Sequence, residues 1–88
     1  MAAAYQGRGT ARMRQNDLAG AIVDLNRALE LNPELEFARM NRGLALLLQG
    51  KDAEAEKDFA QCLQLRPDLK TDLEQRIEGA KQLRSKTP

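Results

Sequence analysis

Apolar residues recur along this chain at the spacing of amphipathic helices. The clearest stretch carries Leu18, Ile22, Leu25 and Leu29, at successive spacings of four, three and four residues. Because an α-helix turns once in about 3.6 residues, these side chains share one face. The pattern predicts a helix over about 18–31.

Breaking and capping residues divide the rest of the chain into four further helices. Proline disfavours the helical conformation in the residue before it, and glycine readily takes the left-handed conformation that ends a helix. The expected helix ends are Asn16, Asn32–Pro33, Gly50 and Arg66–Pro67, and the expected N-caps are Asp17 and Asp52. The other predicted helices cover about 2–15, 34–49, the segment from Asp52 to about 65, and 68–85, the last with Leu69, Leu73, Ile77, Ala80 and Leu83 on one face.

The sequence repeats itself at an offset of 34 residues. Gly9 aligns with Gly43 and Pro33 with Pro67, and the other matches include Arg8 with Arg42, Ala21 with Ala55, Asp24 with Asp58 and Leu29 with Leu63. A fixed period of this size is typical of stacked repeat architectures. We therefore predict one repeat over 2–35, a second over 36–69, and a C-terminal capping helix with a short tail over 70–88.

Two glycines indicate close helix packing inside each repeat. Gly9 and Gly43 fall within predicted helices, where glycine costs about 1 kcal/mol relative to alanine. Close approach of the second helix would compensate, and that helix offers small residues: Ala21 and Ala28 in the first repeat, Ala55 and Cys62 in the second. We expect the fifth helix to cover the end of the second repeat and to bury Leu73, Ile77 and Leu83.

This pattern resembles the tetratricopeptide repeat (TPR), a 34-residue helix-turn-helix unit with small, large apolar and proline residues at fixed positions. The matching residues are Gly9, Ala21, Leu25, Ala28 and Pro33 in the first repeat, and Gly43, Ala55, Phe59, Cys62 and Pro67 in the second. Arg12 departs from the pattern, because an aromatic residue is usual there. The resemblance implies an all-α solenoid of five antiparallel helices that acts as a non-catalytic protein-interaction module.

The resemblance also implies a concave groove, which the first helix of each TPR lines and in which peptides bind. The matching positions are Ala3, Gln6, Thr10, Met13 and Arg14, then Phe37, Met40, Leu44, Leu47 and Leu48. The second set is apolar, and monomers seldom leave such a patch bare. The alternative is that some of these residues, Leu47 above all, are ordinary core. Our predicted partner-binding residues are Met13, Phe37, Met40, Asn41, Leu44, Leu47 and Leu48, with Asn41 donating to a peptide backbone.

Arginines recur at one position of the period, at Arg8, Arg42 and Arg76. They could form an anion-binding column. The first two, however, have an acid on the helix that packs beside them, so we predict structural pairs of Arg8 with Asp24 and of Arg42 with Asp58, and no equivalent partner for Arg76.

Composition excludes several functional classes. The 88 residues are enough for one small domain, and a net charge of +1 gives no support for binding to nucleic acid or a membrane surface. The chain has no histidine and one cysteine, Cys62, which we expect to be a buried packing residue. We therefore expect no catalytic residue, no metal and no cofactor. No stretch approaches the roughly 20 apolar residues of a membrane span, and the cytoplasm is the simplest location.

Some TPR proteins hold the C-terminal carboxylate of heat-shock chaperones in a clamp of lysine, arginine and asparagine side chains. The matching positions here are Gln6, Thr10, Asn41, Thr71 and Gln75, which carry no cation. We expect no such clamp. Two alternatives to a peptide-binding module stay open: a self-associating fragment whose groove is filled by a second copy, and a regulatory piece of a longer protein.

Overall fold

The computed structural model describes residues 1–86, which form five α-helices and no strand. They are α1 (Ala2–Arg14), α2 (Leu18–Leu31), α3 (Glu36–Leu48), α4 (Asp52–Leu65) and α5 (Lys70–Ser85), and a short 3₁₀ turn over Pro67–Leu69 leads into α5. The predicted all-α, five-helix fold is confirmed.

The two turns inside the repeats use equivalent backbone geometry. Asn16 and Gly50, one period apart, both have left-handed backbones, with φ angles of 63° and 82°. The carboxylate of Asp17 caps α2 by accepting a hydrogen bond from the Gly20 amide at 3.0 Å. The expected cap at Asp52 is wrong, because α4 begins at that residue and its carboxylate accepts from Arg84 instead.

Each repeat is a pair of closely packed helices. A Cβ added to Gly9 would lie 2.9 Å from Leu25 Cγ, and one added to Gly43 would lie 2.6 Å from Phe59 Cε1. The close approach at both glycines agrees with the prediction. At Gly43, however, the nearest atoms belong to Phe59 and Asp58 rather than to Ala55 and Cys62, because the Phe59 ring fills the space that the glycine leaves.

The second repeat packs on the first through α3, which contacts α2 more extensively than α1. Ala38 of α3 is fully buried in a cluster with Leu25, Ala28 and Leu29 of α2. A second cluster joins α3, α4 and α5 around Met40, Leu44, Leu46, Leu47, Ala55, Phe59, Cys62, Leu73 and Ala80. Both clusters contain residues of α3, and Met13 packs against both.

The fifth helix does not continue the stack. By the repeat period α5 should contact α4 more than α3, as α3 contacts α2 more than α1, but it contacts α3 more than α4. Leu73 is buried and Ile77 half-buried, whereas Leu83 is 60% exposed. The predicted burial of Leu83 is wrong, because this residue lines an open cavity beside Leu48, Gln49 and Gly50 at the C-terminal end of α3. The expected cover over the second repeat falls on α3, and the capping role itself stays a prediction.

Candidate functional site

Three of the predicted groove residues form an apolar strip along the inner face of α3. Met40, Leu44 and Leu47 are only 1%, 7% and 3% exposed. They belong to the cluster that contains Leu73 and Ala80 of α5. The expectation that they form an open surface is wrong, because α5 lies over them. We call Met40, Leu44 and Leu47 the α3 strip.

The other predicted groove residues keep some exposure. Met13 and Leu48 are half-buried at the margin of the same cluster, and Phe37 is exposed at the start of α3. Asn41 is also half-buried, and its side-chain amide donates to Thr10 Oγ1 at 3.1 Å. Asn41 therefore links α3 to α1, and its proposed bond to a peptide backbone stays a prediction.

An open cleft of about 730 Å³ lies at the C-terminal ends of α1, α3 and α5. Its apolar lining consists of Met13, Leu18, Leu48 and Leu83, and its charged lining consists of Arg14 and Arg84. We call this region the open cleft. Sequence reasoning included Met13 and Leu48 but missed Leu18 and Leu83, which it assigned to helix packing.

Arg84 fixes the end of α5 to the second repeat. Its Nη1 atom donates to the backbone oxygen of Leu47 at 3.0 Å and to Asp52 Oδ1 at 2.6 Å. A cation is favourable here, because the last turn of α3 presents carbonyl oxygens at the negative end of the helix dipole. The repeat period gave no signal for this contact, since residue 84 lies outside both repeats.

The arginine–aspartate pairs join the two helices of each repeat. Arg8 donates to both carboxylate oxygens of Asp24 at 2.8 Å, and Arg42 donates to those of Asp58 at 2.8 and 2.7 Å. The side chains of both acids are buried. Such bidentate pairs fix the relative position of two helices and satisfy charges that burial would otherwise disfavour.

Electrostatics around these pairs agrees with a structural role. The hydrogen bonds from Arg8, with a smaller contribution from nearby Arg12, lower the pKa of Asp24 even though burial acts in the opposite direction. The hydrogen bond with Asp58 raises the pKa of the Arg42 guanidinium. Arg76 pairs along its own helix with Asp72 at 3.0 Å. The three arginines therefore do not form an anion-binding column.

Cys62 lies fully buried in the core of the second repeat. Burial raises the pKa of its thiol, so the reactive thiolate is disfavoured. Among residues 1–86, no group of three or more acidic or cysteine side chains is arranged to hold a metal ion.

Comparison with known sequences identifies the family. The profile described as TPR repeat matches residues 9–50, and the profile described as Tetratricopeptide repeat matches residues 37–69. The chain belongs to the tetratricopeptide repeat family. No solved structure matches it. Membership of this family indicates a protein–protein interaction module of helical repeats and points to a non-enzymatic scaffold family.

Curated relatives contain this TPR segment within longer chains. Tetratricopeptide repeat protein 36 of Xenopus tropicalis is 46% identical over 72 residues, which is 77% of this chain and 36% of the relative. The human protein of that name is 43% identical over 68 residues, again 36% of its length. DnaJ homolog subfamily C member 3 of Rattus norvegicus is 41% identical over 64 residues, 13% of its length. The chain thus spans about a third or less of these relatives. None of the helices within residues 1–86 is long and apolar enough to cross a membrane.

Proposed function

We propose that this TPR chain is a non-catalytic module that binds a partner peptide in the open cleft, at the end of the apolar groove that α5 leaves uncovered. The observation that carries this proposal is the grouping of half-buried Met13 and Leu48 with exposed Leu83 around one cavity. Covering these side chains with a ligand would remove apolar area from water, which is the main favourable term in association.

The charges at the cleft favour a particular ligand. Arg14 makes no ion pair within residues 1–86, whereas Arg84 on the same cavity is already paired with Asp52. A guanidinium binds carboxylates well, because its N–H groups match the two oxygens. The best ligand is therefore a peptide with a large apolar side chain close to an aspartate or glutamate.

A displayed library of random peptides tests this function directly. Peptides selected on the whole chain should be enriched in an apolar residue beside an acid. Their affinity should fall at least about tenfold for the Leu83→Glu variant, because it places a like charge in the apolar part of the cleft. Arg14→Glu should remove the preference for acidic peptides.

Leu65→Glu is the matched control. Leu65 is an exposed leucine near the end of α4 and does not line the cleft. Selected peptides should bind this variant as they bind the parent. Enriched peptides that bind all variants equally, or a library from which no peptide is enriched, would contradict the proposal. A dimer in native mass spectrometry that Leu83→Glu dissociates would instead assign the cleft to a second copy of the chain.

A further inference from the structure

The docking of α5 on the α3 strip resembles the binding of a helical ligand. Leu73, Ile77 and Ala80 follow one another at spacings of four and three residues and make one face of α5. Leu73 and Ala80 are buried in the cluster of the α3 strip, and Ile77 packs at its margin. Amphipathic helices bind grooves through side chains at this spacing.

The repeat period shows that α5 is turned relative to a regular third-repeat helix. Ala38 and Ala45, which are fully buried in α3, align with Asp72 and Gly79 of α5. Gly79 is exposed, and a Cβ added to it would meet no atom within 4 Å. Ile77 aligns with Gly43, which faces Phe59 in its own repeat. The face of α5 that contacts α3 therefore corresponds to the face of a repeat's first helix that contacts the second helix of the same repeat.

Two positions on α4 are acidic where the first repeat is apolar. Leu18 and Ile22 of α2 are half-buried, and Ile22 packs against the second repeat. The equivalent residues of α4 are Asp52 and Glu56, and both are exposed. This difference disfavours α4 as the main surface for α5 and favours the apolar α3 strip.

The attachment of α5 is slight compared with that of α3. Of its 16 residues, Leu73 and Ala80 are buried, whereas seven of the 13 residues of α3 are buried. Gly79 in its interior lowers its helix propensity. Segments with few buried contacts are those that open locally while the rest of a protein stays folded.

We propose that α5 is a displaceable internal ligand and that a partner helix of the same pattern replaces it on the α3 strip. The partner helix carries aliphatic residues at i, i+4 and i+7, as Leu73, Ile77 and Ala80 do, and an arginine or lysine at i+11, as Arg84 does. That cation binds the Leu47 carbonyl and the Asp52 carboxylate. The inference goes beyond the proposed function, because it concerns the covered strip rather than the open cleft.

A fluorescent peptide with the sequence of residues 68–86 is the probe, and anisotropy measures its binding to the full chain. Leu73→Glu in the protein should detach α5 and tighten peptide binding at least about tenfold, because a ligand binds in proportion to the fraction of protein whose site is open. Gln75→Glu is the control: it adds the same charge at an exposed position of the same helix and should leave binding at the parent level. A peptide carrying Leu73→Glu should bind neither protein.

A second variant and a second measurement cover the case in which Leu73→Glu fails to fold. Arg84→Ala removes the polar anchor of α5 without placing a charge in the core, and it should tighten peptide binding several-fold. In the parent protein, amide hydrogens of α5 should exchange at least about tenfold faster than those of α3 and α4.

Three results would overturn the inference. One is exchange of α5 together with all other helices through a single global opening. Another is a failure of the peptide to bind Arg84→Ala and Leu73→Glu more tightly than the parent. The third is a parent dimer in native mass spectrometry that exchanges α5 between copies. Leu83 and Arg84 of α5 also line the open cleft, so a peptide selected at the cleft should lose affinity for Leu73→Glu, whereas the peptide of residues 68–86 should gain affinity for it. The two proposals therefore predict opposite effects of this variant, and failure of one can be told apart from failure of the other.

Discussion

Replacing Gly43 by alanine tests whether close helix packing determines the structure of the second repeat. The new Cβ would lie 2.6 and 2.9 Å from the Phe59 ring and 3.2 Å from Asp58 Cβ. Neither neighbour can move freely, because the ring is buried and Arg42 holds the Asp58 carboxylate. The protein must therefore shift a buried ring or separate α3 from α4.

Two opposing terms set the magnitude of the effect. Alanine is better than glycine inside a helix by about 1 kcal/mol. Overpacking of a filled core costs about 1–3 kcal/mol, and contacts this short with rigid neighbours belong to the upper part of that range. We expect a net loss of about 1–2 kcal/mol, which lowers the melting temperature by roughly 4–8 °C per kcal/mol in a domain of this size.

Gly7→Ala is the matched control, since Gly7 is also inside a helix but a Cβ there meets no atom within 4 Å. It should gain about 0.5–1 kcal/mol, because it brings the helix propensity of alanine without a clash. Thermal and urea unfolding followed by circular dichroism measure both variants. A Gly43→Ala protein that melts at or above the parent temperature would refute the packing argument.

Three further predictions follow from burial and charge. The double variant Met40→Glu, Leu44→Glu should lose cooperative thermal unfolding, measured by circular dichroism, because it places two carboxylates among buried side chains. An unfolding curve like that of the parent protein would show that α5 does not cover the α3 strip. Leu73→Ala should cost about 2–4 kcal/mol in urea unfolding and Leu83→Ala less than about 1 kcal/mol, in line with their burial; equal losses would contradict the placement of α5. Because the folded pKa of Asp24 is lowered, its contribution to stability is present above its unfolded pKa of about 3.9 and is lost as the pH falls through the folded value. Asp24→Asn should therefore melt lower than the parent at pH 6 and differ less from it near pH 3, and an unchanged difference would exclude this carboxylate as the cause.

The helices and their pairing within each repeat could be predicted because both depend on short-range features of the sequence. The apolar stripe of α2, the proline near the end of each repeat and the period of 34 residues each act within one or two helices. The Arg42–Asp58 pair follows from the same period, since both residues recur at equivalent places.

The position of α5 could not be predicted from the period, because α5 has no following helix to complete a repeat. Leu73 and Ile77 show that the helix has an apolar face, but an apolar face does not specify which neighbour covers it. One indirect signal in the sequence disfavours packing of α5 against α4: Asp52 and Glu56 stand where the first repeat has Leu18 and Ile22. The predicted exposure of Met40, Leu44 and Leu47 was wrong for the same reason, and their role in partner binding stays a prediction.

The guanidinium of Arg42 has a consequence for cooperative unfolding. Besides Asp58 in its own repeat, it donates from Nη1 to Asn26 Oδ1 on α2 at 3.0 Å. Repeat proteins behave approximately as one-dimensional chains, in which each unit has an intrinsic stability and a coupling to its neighbour. The hydrogen bond to Asp58 contributes to the intrinsic stability of the second repeat, and the hydrogen bond to Asn26 contributes to the coupling between the two repeats. Loss of Asn26 would therefore leave each helical hairpin nearly as stable as before, while the two hairpins would unfold less as one unit.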